Sequence, residues 1–193
     1  MTVYDCNSNN VVLIPQTGIY FENGTCKCPA AAIGDTEVIG GITYTAVDNT
    51  TIRTEIAANN PNLCTSQVTN MSRLFNNNTT FNSDISFWDT SNVTNMSHLI
   101  DGALVFDQNI GNWDISNVTR LISAFRRAPV FNQDISNWDT SNVRSMNAMF
   151  ENANSFNQNL SGWNILNVVI CANFSSNTSA WSLPKPNFTN CTP

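Results

Sequence analysis

The chain has 193 residues, enough to bury a core of its own, yet only 11% of them are charged, its net charge is -6, and 41% are hydrophobic. Its polarity therefore rests on uncharged Asn, Ser and Thr, which is unlike a disordered tail or a cytosolic enzyme. Eight scattered Lys and Arg exclude a phosphate-tracking surface, and no run approaches the ~20 apolar residues of a membrane span. Met1 is followed by the largely polar run Thr2 to Asn10, with no basic flank or apolar h-region. No signal peptide is read in this chain, and an extracellular chain of this kind is expected to be a piece of a longer protein.

Residues 1–55 read as a small β-rich N-terminal cap. Strand-like runs occupy Val11 to Ile14 and Glu37 to Val47, the second interrupted by Gly40-Gly41 as a hairpin turn requires. Asp48 or Asn49 then offers a cap for a helix at about 50–58, with Ile52 and Ile56 on one face. From residue 56 a 25-residue period sets in, carried by Phe81/Trp88, Phe106/Trp113, Phe131/Trp138 and Phe156/Trp163. Ile85, Ile110, Ile135 and Leu160 keep the register, as do Val93, Val118, Val143 and Val168, and then Met96, Leu121, Met146 and Cys171. The units are 56–80, 81–105, 106–130, 131–155 and 156–180, and the aromatic and aliphatic columns are expected to be core.

Within a unit, Val93, Met96, Ile100 and Ala103 fall on one face of a helix, and Ser91 or Asn92 can cap it. This predicts helices at 93–102, 118–127 and 143–152, with a brief strand at Asn82 to Trp88. Such units cannot bury their apolar sides alone, so they are expected to stack, strands ~4.8 Å apart in one parallel sheet and helices opposite. The expected fold class is an α/β solenoid. Residues 181–193, with three prolines in SLPKPNFTNCTP, would close its far end.

The units FNSDISFWDTSNVTNMSHLIDGA and FNQDISNWDTSNVRSMNAMFENA resemble the BspA-like bacterial surface-protein repeat, found in lipoproteins and large secreted surface proteins. The resemblance covers roughly residues 65–174 and rests on the motif D-I-S-x-W-D-T-S-N-V. It implies a leucine-rich-repeat-like solenoid used for adhesion or protein contacts, and it brings no catalytic residues. Asn164, Leu166 and Cys171 depart from the motif in the last unit, and Leu63-Cys64 stand in the Trp-Asp place of the first.

All cysteines lie in or beside the two ends: Cys6, Cys26, Cys28 and Cys64 at the front, Cys171 and Cys191 at the back. An even, end-clustered set fits disulfides in an oxidising compartment. The back pair is Cys171 with Cys191, because several units separate the ends. Cys26 and Cys28 are too close for an easy mutual bridge, so one is expected to take Cys6 and the other Cys64. The rival reading, a metal site at Cys26-Lys27-Cys28, has one residue too few between its thiols and no histidine nearby.

Catalytic chemistry finds little to work with. The single histidine, His98, shares a column with Ser123 and Ala148, which argues for an exposed helix position. There is no G-x-S-x-G and no Gly-rich phosphate loop. Neither an enzyme nor a cofactor is expected, although a paired-carboxylate glycan hydrolase stays as a third reading. Asp84, Asn109, Asp134 and Asn159 alternate charge with amide, so the amides can bridge between turns. Asp89, Asp114 and Asp139 instead place carboxylates in successive units, where at ~5 Å each pair repels by ~1 kcal/mol even in water. Either each carboxylate accepts backbone N–H groups in an Asx turn, or the ladder binds calcium. Asp101, Arg126 and Glu151 are expected to form surface ion pairs. The candidate contact face comprises Asn82, Asp84, Ser86, Asp107, Asn109, Asn132, Asp134, Ser136, Asn157 and Asn159. Asn-X-Ser/Thr triplets such as Asn92-Val93-Thr94 and Asn117-Val118-Thr119 are frequent, as chance allows in so Asn-, Ser- and Thr-rich a chain. The expected function is an extracellular or cell-surface adhesion module with a protein or glycan partner; a structural spacer or filament subunit, contacting copies of itself, is the alternative.

Overall fold

The computed structural model describes Thr2–Tyr4, Val11–Leu13 and residues 18–193. Cys6 and Ile14 lie outside the described residues. Strands β1 (Thr2–Tyr4) and β2 (Val11–Leu13) pair antiparallel, as do β3 (Tyr20–Glu22) and β4 (Thr25–Lys27). A second hairpin joins β5 (Thr36–Ile39) to β6 (Ile42–Ala46) through Gly40 and Gly41. Both glycines are left-handed, at φ 61° and 84°, which suits a tight two-residue turn and would strain residues with a Cβ.

Helix α1 (Thr51–Ala57) follows, its start held by Asp48, whose carboxylate accepts the N–H groups of Thr50 and Thr51 at 2.9 and 2.8 Å. Ile52 and Ile56 face inward from it. Strand β7 (Leu63–Cys64) then adds parallel to β6 and carries the chain into the larger core.

Beyond Cys64 the structure overturns the expected architecture. Residues 65–193 contain neither a helix nor a named strand, only turns and single-residue bridges, so the chain is not an α/β solenoid and the leucine-rich-repeat likeness is not retained. The helices predicted at 93–102, 118–127 and 143–152 fail for a local reason. His98, Ser123 and Ala148 sit at φ 56°, 52° and 52°, and Gly102, Arg127 and Asn152 four residues on are left-handed too, conformations no right-handed helix accommodates.

Hydrogen bonding follows the same break. The N–H groups of Met96, His98, Ile100 and Gly102 donate to the carbonyls of Arg120, Ile122, Ala124 and Arg126 in the next segment, while those of Leu99, Asp101 and Ala103 donate to the carbonyl three residues back and close four-residue turns. Alternate groups are thus satisfied by a neighbour, not by the i−4 carbonyl of a helix. The strand expected at Asn82 to Trp88 is also absent, because that stretch turns at Ser86 and Phe87.

What these segments share is a contact register. Parallel bridges link Asn70, Asn95, Arg120, Ser145 and Ile170 in sequence. Inside, Phe81, Phe106, Phe131 and Phe156 stack at 6.3, 6.2 and 5.9 Å, and Trp88 lies on Trp113 at 6.3 Å. Each indole N–H needs a partner when buried, and Trp113, Trp138 and Trp163 donate to the carbonyls of Ile85, Ile110 and Ile135 at 3.1 Å. The columns read from sequence are therefore the core.

The two ends are closed differently. At the front, α1 covers the first segment and Arg53 donates to the Ser72 carbonyl at 2.9 Å. At the back, Phe188 packs on Phe174 at 4.9 Å and Cys171 is bonded to Cys191. That bridge closes a loop with a sequence separation of 20, for which chain entropy alone predicts a contribution of about 3 kcal/mol. We expect the double variant C171S with C191S to lose about that much in urea denaturation, and a loss below about 1 kcal/mol would mean that packing alone holds the tail.

Candidate functional site

The residues expected to form a contact face are mostly occupied within the molecule. Asn82 accepts the N–H of Asp107 through its side-chain oxygen at 2.9 Å, Asp107 accepts that of Asn132, Asn132 that of Asn157, and Asn157 that of Ser182. This column ties segments together where backbone carbonyls would otherwise do so. Asp84, Asn109, Asp134 and Asn159 each accept the N–H two residues ahead, on Ser86, Gly111, Ser136 and Ser161, at 2.8–3.1 Å. They close turns inside their own segments and do not bridge between them. The Ser136 hydroxyl and then its N–H hold the Asp134 carboxyl below the ordinary range.

Asp89, Asp114 and Asp139 make Asx turns to Ser91, Ser116 and Ser141 at 3.3, 2.9 and 3.0 Å. Asp114 and Asp139 are exposed, whereas Asp89 is buried among the Ser66 hydroxyl at 2.6 Å, the Ser91 hydroxyl at 2.7 Å and the Lys27 ammonium at 3.0 Å. Among the described residues, no group of three or more His, Cys, Asp or Glu side chains is placed to hold a metal ion.

The expected bridge from Cys64 to Cys26 or Cys28 does not form. All three are buried thiols, and Cys64 lies within hydrogen-bonding reach of the other two. These sulfur contacts, with burial, push the Cys64 thiol up, while its hydrogen bond lowers that of Cys28.

His98 is partly buried, its Nδ1 3.2 Å from a carboxylate oxygen of Asp101. The expected ion pairs form, Arg126 lying 2.9 Å from Glu151 and 3.9 Å from Asp101, but Asp101 is buried and its nearer partner is Arg127, at 2.8 and 2.9 Å. Two positive residues and an imidazole around one buried carboxylate form a local clamp without a nucleophile.

A surface that the sequence reading passed over lies beside the bridged residues. Thr119, Arg120, Ile122, Arg144, Ser145, Val169 and Ile170 line an open groove of about 490 Å³. Its signal in the sequence is a break of pattern in the last segment. Leu166, Val169 and Ile170 stand where the preceding segment has Ser141, Arg144 and Ser145. They are 69%, 60% and 52% exposed, so the change to apolar side chains does not serve the core.

A family model described as "Mycoplasma protein of unknown function, DUF285" matches residues 45–163 and again 69–188. The chain belongs to the DUF285 family. The family match begins within β6 of the DUF285 chain, covers the groove, and reaches the tail that packs on Phe174. No curated protein and no solved structure matches it.

Proposed function

We propose that this DUF285 chain is a non-catalytic binding or adhesion module of an extracellular or cell-surface protein, with the groove across the last three segments as its contact surface. The observation that carries this reading is the exposed apolar pair Val169 and Ile170 lining the groove, in columns where the preceding segment has Arg144 and Ser145. Contiguous exposed apolar side chains rimmed by polar ones mark interaction surfaces, because leaving them in water costs roughly 25 cal/mol per Å². The Cys171–Cys191 disulfide supports an oxidising compartment. No helix among the described residues is long and apolar enough to cross a membrane. The likeness to BspA-like surface repeats belongs to the same proposal. The reading assigns no role to calcium; Asp89, Asp114 and Asp139 each accept an N–H in their own turn.

The test is a glycan-array and cell-surface binding screen on the intact chain, with and without chelator, beside light scattering. Binding that survives chelator and falls at least tenfold in the double variant V169S with I170N is the expected result. Equal binding by that variant, or none by the parent, overturns the assignment. A molar mass that rises with concentration, and is reduced by the same variant, would replace it with a self-assembling spacer.

A further inference from the structure

We infer that the groove accepts an extended acidic segment of a partner protein, held by Arg120 and Arg144 and paired through its main chain with the Val169 carbonyl. The inference rests on the groove being the contact surface and adds the chemistry of what fills it.

The main-chain part comes from an interrupted series. Thr94 donates its N–H to the Thr69 carbonyl, Thr119 to Thr94, Arg144 to Thr119 and Val169 to Arg144, at 2.9–3.0 Å. Each carbonyl along this line accepts from the next segment until Val169, whose carbonyl receives no N–H among the described residues. The parallel bridges end beside it, at Ile170. A partner chain laid along this edge continues the series by donating one N–H, which is how extended peptides add to an open edge.

The charge part comes from the disposition of the cations. Lys27, Arg126 and Arg127 are paired with Asp89, Glu151 and Asp101, Arg53 is used on backbone carbonyls, and Lys185 lies over the Trp181 ring. Arg73, Arg120 and Arg144 make no side-chain hydrogen bond or ion pair among the described residues, and the last two line one groove in a chain of net charge -6. Guanidinium groups prefer carboxylates, with which they form paired N–H···O contacts. Ile122, Val169 and Ile170 supply an aliphatic floor with no aromatic platform, which favours an apolar side chain between the acids over a sugar ring. A second copy stacking head to tail would have to donate from its front end, but there α1 covers the first segment and the Thr69 and Asn70 N–H groups already donate to the Asn49 side-chain oxygen at 2.9 Å.

The probe is a fluorescein-labelled peptide of alternating Glu and Leu, followed by fluorescence anisotropy with the full chain. Controls are its Ser-for-Glu and backbone N-methylated counterparts, a heparin competitor, and light scattering. Expected results are binding that weakens with added salt, at least a tenfold loss in R120E with R144E, and a comparable loss on N-methylation or in V169S with I170N. If V169S with I170N abolishes binding while the arginine reversals and the Ser-for-Glu peptide change nothing, the contact surface stands and the acidic partner is overturned. If none of the variants affects binding, the surface itself falls. Equal affinity for the N-methylated peptide, together with heparin competition, would replace the peptide with a polyanion, and self-association lost on arginine reversal would replace it with a second copy.

Discussion

Replacing Phe131 with alanine is expected to cost the fold about 3–5 kcal/mol, the range for truncating a fully buried aromatic ring. Phe131 is 0% exposed and touches three other rings, Phe106 at 6.2 Å, Phe125 at 4.5 Å and Phe156 at 5.9 Å. Removing it opens a void between Phe106 and Phe156, which are themselves fully buried and held by their own segments, so the site collapses little. The lost burial and the residual cavity therefore add. Urea denaturation followed by tryptophan fluorescence measures the loss. The adjacent Val130 is 42% exposed, and V130A should stay within about 0.5 kcal/mol. A Phe131→Ala cost near that of V130A would show that the aromatic column is not what holds the segments together.

The second large effect is expected at Asp89. Burial alone would raise its carboxyl, but hydrogen bonds from Ser66, Ser91 and Lys27 outweigh burial and hold it below the ordinary range. It also joins three parts of the molecule, since Lys27 lies in β4, Ser66 follows β7, and Ser91 belongs to Asp89's own turn. Removing one member of a buried charged set leaves the other uncompensated, which costs about 3–5 kcal/mol, and D89A is expected to fall in that range.

The pH dependence follows from the direction of the shift. Because the folded state holds this carboxyl below its unfolded value, the stabilisation is present above the unfolded value, near ~4, and is lost as pH falls through the depressed folded value. Denaturation midpoints of the parent chain should therefore drop on acidification below about pH 4, and those of D89N should drop less. Parallel acid profiles for the two would remove Asp89 from the account of acid sensitivity.

Much of the core was legible before any coordinates. Phe and Trp recurring every 25 residues are too large and too regular to lie anywhere but inside, and each is buried as the period implies. The Gly40-Gly41 turn was equally plain, since two successive glycines between apolar runs leave few conformations other than a tight hairpin. The helices were misread because Val93, Met96, Ile100 and Ala103 have helical spacing, and a run of turns closed by bonds to the carbonyl three residues back returns side chains to one side at nearly the same interval. The residues that break the helix, His98, Ser123 and Ala148, are not glycines, so their left-handed backbone leaves no mark on the sequence.

The candidate contact face was legible only in part. Short polar side chains in rows look like solvent-facing groups, and Asn82 and Asn132 are exposed, but the side-chain oxygens of Asn82, Asp107 and Asn132 also accept backbone N–H groups of the adjoining segment. Which partner a side-chain amide takes depends on where the neighbouring segment lies, information held by no single unit. The groove was missed for the complementary reason: Arg120 and Arg144 are unremarkable in sequence, and only lateral packing sets them beside Val169 and Ile170.

By itself, then, the sequence determined the register of the segments, the identity of the core columns and the pairing of Cys171 with Cys191, because each follows from side-chain size or from distance along the chain. The tertiary structure alone decided that the segments turn without helices, that Cys26, Cys28 and Cys64 share a pocket as thiols, and which charges remain without partners. Those outcomes depend on hydrogen bonds and ion pairs between residues about 25 or more positions apart, and such contacts exist only once the segments lie against one another.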